Sequence, residues 1–287
     1  MGIALVTGTS TGIGEATAVT LARAGHTVYA SMRNPAKGAA EIQGIAMAEK
    51  LPLEVVALDV DDDASVEAAV RDVIARSGQI DVLVNNAGVG SSGAVEETPI
   101  EEYRRVMETN FFGALRCIRA VVPAMRERRS GCIVNVTSVA GKVSGPAHSP
   151  YTASKWALEA LSESLACEMK AFGVRVAVVE PGVIATPIFG KRQQPEKPSI
   201  YPYGRRMHAI FAALLKNPVS PYVVGEAIRD VVDSGTWQFR HPVGPDAAPL
   251  LAMRSKITDE QWIGGAAVSD EEWKERIKAS MGLDVEL

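Results

Sequence analysis

At 287 residues, nearly half of them apolar and 22% charged, the chain can bury a substantial core, which excludes disorder over most of its length. Thirty basic against 34 acidic residues leave a net charge of −4, so a general affinity for nucleic acid or anionic membrane has no support. Cys117, Cys132 and Cys167 lie far apart with no CxxC spacing; buried thiols in a reducing compartment are expected, with neither disulfides nor zinc.

Short β-branched runs alternate with longer helical patterns. IALVTG (3–8) reads as a first strand, and TGIGEATAVTLARAG (11–25) as a loop running into a helix that ends at Gly25. HTVYAS (26–31) is a second strand, followed by a helix over 35–50 begun by Pro35. LEVVALDV (53–60) precedes a helix over 61–78 with acidic residues in its first turn and Gly78 past its end. IDVLVNNAG (80–88) is a fourth strand, and 100–128 one long helix whose basic end, RERR at 126–129, reads as solvated. GCIVNVTS (131–138), a helix over 151–172 and VRVAVVEPG (174–182) complete the regular part.

Apolar strands separated by amphipathic helices predict a parallel sheet covered on both faces, and right-handed crossovers make it a doubly wound α/β fold. No linker breaks the alternation before about residue 186, so one domain over 1–287 is expected. Residues 187–220, with five prolines and the polar stretch GKRQQPEKP, stand out as an insertion. The tail at 247–287, after FRHPVGPDAAP, reads as a helical extension with SDEEW (269–273) fitting a capping box. The chain opens on GIALVTG without a leader pattern, and no apolar run reaches membrane-spanning length, so a cytoplasmic location away from membranes is expected.

Two stretches carry chemistry. VTGTSTGIGEA places Gly8, Gly12 and Gly14 between a strand and a helix, where glycine backbone and free helix N–H groups suit a pyrophosphate. PYTASKWALEA puts Tyr151 and Lys155 one helical turn apart on one face. Alone, that pair is as readily an ordinary surface pair as an acid with its tuner. His26, His208 and His241 show no ligand spacing, and Asp61–Asp63 read as a helix cap, so no metal is expected.

TGTSTGIG, NNAG at 85–88, Ser138 and YTASK at 151–155, in that order, resemble the short-chain dehydrogenase/reductase family over about residues 2–186. The GxxxGxG spacing is similar to its single-domain branch, not to the branch of sugar epimerases and dehydratases. The resemblance implies a Rossmann-type sheet of about seven strands in the order 3-2-1-4-5-6-7. It implies cofactor contacts from Gly8, Ser10, Thr11, Gly12, Ile13 and Gly14, from Asp59 and Val60 at the adenine, and from Asn86, Ala87 and Gly88. Pro181, Gly182, Ile184 and Thr186 would hold the nicotinamide carboxamide. Tyr151 would be the general acid/base, and Lys155 would lower its pKa and bind the nicotinamide ribose. Ser138 would hold the substrate oxygen, and Asn110 a relay water.

NAD-binding relatives carry an acid at the end of the second strand; here Met32 stands there with Arg33 next, which favours NADP(H) over NAD(H), with Ser10 or Lys37 assisting. The function expected is interconversion of a ketone or aldehyde and an alcohol. Phe189, Tyr201, Tyr203, Met207 and Phe211 make 187–217 a substrate lid over an apolar small molecule, or else a packing or subunit contact. His148 is read as a loop residue at the pocket mouth, outside the chemistry. VYASMRN and FRHPVGPDA are similar to the hydroxysteroid and retinol dehydrogenase side of the family. Relatives use the helices at 100–128 and 151–172 for subunit contacts, which implies a homodimer or homotetramer. Two rival readings keep the shell: a dinucleotide-binding redox sensor without turnover, which tends to lose the tyrosine or lysine present here, and a dehydratase or epimerase of the same fold.

Overall fold

The computed structural model describes residues 1–190 and 199–287, so most of the polar stretch expected in the insertion, 191–198, lies outside the described residues. Among the described residues, parallel strands β1 (Ile3–Thr7), β2 (Thr27–Met32), β3 (Leu53–Ala57), β4 (Val82–Asn85), β5 (Gly131–Val136), β6 (Val174–Pro181) and β7 (Arg240–Val243) form one sheet. Its order is β3-β2-β1-β4-β5-β6-β7, as the resemblance implied. Helices α1 (Gly12–Arg23), α2 (Pro35–Gly38), α3 (Ala40–Glu49), α4 (Asp63–Ser77), α5 (Ile100–Met107), α6 (Gly113–Glu127) and α7 (Ser149–Lys170) alternate with the first six strands. Helices α8 (Tyr203–Leu214) and α9 (Tyr222–Asp233) precede β7, and α10 (Ala247–Arg254), α11 (Asp259–Gly264) and α12 (Asp270–Met281) follow it.

Side-chain alternation along the strands feeds two cores. On β1, Ala4 and Val6 pack with α1 and α9 on one face, while Leu5 packs with α4, α6 and α7 on the other. With both faces covered, the strands are continuous apolar runs. Burial pushes the Cys117 thiol up to about 12 and the Cys132 thiol to about 11, so both behave as small hydrophobes. Cys167, expected to be buried with them, is exposed on α7.

Several elements depart from the sequence pattern for local reasons. The helix expected over 35–50 breaks after Gly38, where a Cβ would lie 3.0 Å from the Ser10 Cβ and 3.2 Å from the Met32 sulfur; glycine lets α2 settle onto the glycine loop. The helix over 100–128 is interrupted by a π turn at Glu108–Phe112 that carries Asn110. Its basic end is not merely solvated: the Arg128 guanidinium donates to the Ile80 carbonyl, and Arg129 donates to the Ala171 carbonyl at 2.6 Å. Ser269 accepts from the Glu272 N–H at 3.2 Å, but the Glu272 carboxylate engages Arg276 at 2.6 Å, and the complete capping box forms at Thr258–Gln261 instead.

Candidate active site

The carboxyl ends of β1 to β6 open onto one cleft of about 470 Å³, at the point where the strand order reverses between β1 and β4. Its floor is bare backbone. Gly8 (φ +70°) has no room for a side chain, since a Cβ would come within 2.7 Å of the Ala87 Cα, and a Cβ on Gly14 would collide with the Gly8 carbonyl and the Asn86 amide. Gly12 faces Thr186 across the cleft, with a Cβ position 3.1 Å from the Thr186 methyl. Thr11 stands at the N-cap position of α1 without a side-chain cap bond, which leaves the helix N–H groups for an anion. The loop is braced from β4. The Asn86 side-chain amide donates to the Thr7 carbonyl at 2.8 Å and the Gly8 carbonyl at 3.1 Å, while the backbone N–H groups of Asn86 and Ala87 both reach the Thr7 hydroxyl at 3.0 Å. A dinucleotide fits this donor set and these approach distances.

Of the expected site residues, all but Asn110 and Lys37 line the cleft. Ser10, Ile13, Arg33, Asp59, Val60, Gly88, Ser138, Tyr151, Lys155, Pro181, Gly182, Ile184 and Thr186 join the floor residues, whereas Asn110 is buried behind it. Arg33 projects exposed from the end of β2 after buried Met32, with exposed Lys37 nearby in sequence on α2. The three aspartates do not act alike. Asp62 caps α4 through the N–H groups of Ala64 (2.8 Å) and Ser65 (3.2 Å). Asp61 instead lines the cleft and accepts from the Thr109 hydroxyl at 3.0 Å. Burial holds its carboxyl above the usual range, Thr109 opposing and Asp59 and Glu108 adding to the rise. Sequence reading had made all three a cap.

At the other end, α7 presents Tyr151 and Lys155 on one face, the Lys155 ammonium 5.7 Å from the centre of the Tyr151 ring. Lys155 is buried and donates to the Val136 carbonyl at 2.8 Å. Burial pushes its ammonium down to about 8, with Glu159 one turn further on opposing the shift. Ser138 follows β5 at the start of a 3₁₀ turn; its hydroxyl donates to the Pro181 carbonyl at 3.3 Å and accepts from the Ala140 N–H at 3.1 Å. Asn110 accepts from the Val89 N–H at 2.8 Å and donates to the Val89 carbonyl (3.1 Å) and the Ser154 hydroxyl (2.9 Å), tying the π turn to the loop after β4 and to α7.

Gly88 lies where Asn110 and Lys155 converge: a Cβ there would stand 3.3 Å from the Asn110 carboxamide oxygen and 3.8 Å from the Lys155 ammonium. Gly88→Ala is therefore expected to lower kcat about tenfold with a smaller change in cofactor affinity, because the methyl crowds the Asn110 carboxamide beside Lys155 without touching the glycine loop. Steady-state kinetics with a binding titration checks this; an unchanged kcat would mean the placement of the Asn110 carboxamide does not matter to turnover.

His148, expected in a loop at the pocket mouth, is buried at the N-cap position of α7 with its ring edge-on to Tyr151 at 4.9 Å. It lies 5.9 Å from Phe211, which is 5.2 Å from Phe189, so an aromatic wall adjoins the tyrosine. Sequence reading missed the support beneath this corner. Arg240 on β7 ion-pairs with Glu159, with Glu163 at 2.9 Å and with Glu180 at 3.2 Å, and Asp246 reaches the loop after β6. The basic residue at 240 inside FRHPVGPD was the available signal, but its partners lie 60 to 81 residues away.

A doubly wound sheet with a glycine floor and a Tyr–Lys corner defines a dinucleotide-binding α/β protein. The short chain dehydrogenase family model matches residues 2–197, and the chain belongs to that family of oxidoreductases, which interconvert alcohols and carbonyls with a nicotinamide dinucleotide. The chain is 35% identical to 3-ketodihydrosphingosine reductase of Bacteroides thetaiotaomicron over 87% of its length and 90% of that protein's. It is also 35% identical to retinol dehydrogenase 8 of Bos taurus, covering 88% and 84%. A solved short-chain dehydrogenase from Streptomyces avermitilis superposes with a TM-score of 0.78 at 36% identity, covering 93% of this chain and 98% of that one. An alcohol dehydrogenase from Thermococcus sibiricus, complexed with 5-hydroxy-NADP, gives 0.70 at 28% identity, covering 84% and 95%. No helix among the described residues is long and apolar enough to cross a membrane.

Proposed function

We propose that this protein is an NADP(H)-dependent carbonyl reductase or alcohol dehydrogenase acting on an apolar substrate, with Tyr151 as general acid/base. The observation that carries the reading is Tyr151 and Lys155 on one face of α7, beside a cleft whose β2 end offers Arg33 and no carboxylate. A nicotinamide held at the Pro181–Thr186 end of the cleft would supply hydride to a carbonyl carbon, or accept it from the corresponding alcohol carbon. In reduction the Tyr151 phenol donates its proton to the carbonyl oxygen, and the Ser138 hydroxyl, turned from the Pro181 carbonyl, hydrogen-bonds the same oxygen as charge develops there. The Lys155 ammonium favours the phenolate that remains, and Asn110 supports the lysine's side of the corner. Glycine-loop N–H groups and the α1 N-terminus hold the pyrophosphate. Arg33 would hold the 2′-phosphate with Ser10 or Lys37, and Asp59 and Val60 would line the adenine.

The wall of His148, Phe189 and Phe211 supports an apolar ketone or alcohol, in keeping with relatives named for 3-ketodihydrosphingosine and retinol. Exposed Phe112 in the π turn and Trp156 on α7 support a homodimer or homotetramer through α6 and α7.

Consumption of NADPH and NADH over ketones graded from small aliphatic to steroid-sized tests the reading directly. Arg33→Ala is expected to weaken NADPH by about 10- to 100-fold, the worth of a charge-assisted pair to phosphate, and to leave NADH nearly unchanged. Preference for NADH in the unmodified protein, or a ratio that ignores the substitution, would overturn the cofactor assignment.

A further inference from the structure

The turn after β7 contains an aspartate in an unusual role. Asp246 stands at the N-cap position of α10, where an aspartate ordinarily accepts from the first N–H groups of its own helix, yet it makes no such bond. Its carboxylate crosses instead to the loop after β6. There Oδ2 accepts from the Val183 N–H at 2.9 Å, and the carboxylate packs so closely on Gly182 that any side chain at 182 would collide with it. A second bond runs parallel, from the Gly182 N–H to the Val243 carbonyl at 2.9 Å. Gly244 makes the crossing feasible: its φ of +105° suits glycine, and a Cβ there would come within 3.2 Å of the Asp246 carboxylate.

The loop held in this way lines the cleft through Pro181, Gly182, Ile184 and Thr186, with Thr186 facing Gly12 across it. We propose that Asp246 is a positioning residue for the nicotinamide end of the cofactor cleft, its carboxylate fixing the Gly182–Val183 backbone so that Ile184 and Thr186 face the carboxamide. This rests on the dinucleotide reading above and adds to it a residue from the C-terminal segment that touches neither cofactor nor substrate. Helix capping alone does not account for the aspartate, because α10 receives nothing from it.

The test is calorimetric binding of NADPH beside its adenosine half, 2′,5′-ADP, which lacks the nicotinamide; NADH and ADP serve if the unmodified protein binds those. Asp246→Ala is expected to weaken the whole dinucleotide about tenfold, the worth of roughly one hydrogen bond to a charged group, and to leave the half-ligand unchanged within about twofold. Asp246→Asn, whose amide oxygen still accepts from Val183, is expected to restore most of the loss. Should the alanine variant fail to fold, Asp246→Ser carries the same expectation, since it keeps a polar side chain in the turn that is too short to reach Val183. Equal weakening of both ligands, or of neither, would overturn the proposal. An unmodified protein that binds neither ligand would fell the dinucleotide reading itself, and this inference with it.

Discussion

Tyr151→Phe is expected to lower kcat by about 10²- to 10⁴-fold, the range for loss of a positioned general acid, while dinucleotide affinity and unfolding midpoint stay near those of the unmodified protein. The side chain is half-buried, and its ring keeps the same neighbours without the hydroxyl: the His148 ring at 4.9 Å and the Lys155 ammonium at 5.7 Å from the ring centre. What disappears is the proton held over the cleft. Single-turnover rates on the best ketone of the panel, with NADPH binding followed by fluorescence, separate chemistry from affinity. A variant that retains more than about a tenth of the rate would remove Tyr151 from the proton-transfer step.

The second large effect concerns stability. Arg240→Met is expected to cost about 3–5 kcal/mol, because it strands carboxylates that the fold buries against one guanidinium. Glu159 is 4% exposed and Glu180 1% exposed, and both pair with Arg240, which also reaches out to Glu163. Methionine approximates the arginine stem, so lost packing contributes little. The sign with pH follows from Glu180. Burial, then the neighbouring Glu159 charge, already holds its carboxyl above the usual range, with Arg240 opposing. Without the guanidinium it rises further. A carboxyl raised in the folded state leaves stability intact below its unfolded pKa and erodes it as pH climbs through the folded value. The deficit in urea unfolding should therefore be widest near pH 7–8 and shrink toward pH 5. A deficit independent of pH would assign the loss to packing, and one below about 1 kcal/mol would mean the carboxylates find other partners.

What sequence could deliver depended on range. The glycine loop, NNAG, Ser138 and YTASK are local patterns whose residue types and spacing already encode a turn, a helix N-terminus or a shared face, and the structure gathers them at one sheet edge. Strand β7 could not be read in the same way: four residues at an edge, largely half-exposed and interrupted by Pro242, carry no apolar run. Which of three successive aspartates caps α4 turns on one residue's backbone angles, which composition does not reveal. FRHPVGPDA gives no role to Arg240 or Asp246 in sequence, because their partners are 60 or more residues distant and meet them only once β6 and β7 are paired.

The π turn between α5 and α6 has a consequence for helical phase. An α-helix advances about 100° per residue, so the additional residue taken up by a π turn sets the two flanking helices out of phase by about that angle. Helix α6 keeps Cys117, Ile118, Val121 and Met125 on the sheet, while Thr109 and Asn110 are turned inward within the bulge itself. A chain one residue shorter between Met107 and Gly113 would form a smoother helix, but that helix could not serve both directions. Either the apolar stripe of α6 would roll off β4 and β5, or the Asn110 carboxamide would swing away from Ser154 and Val89. The irregularity is what allows one continuous rod to face the hydrophobic core along one part of its length and the polar corner behind Lys155 along another.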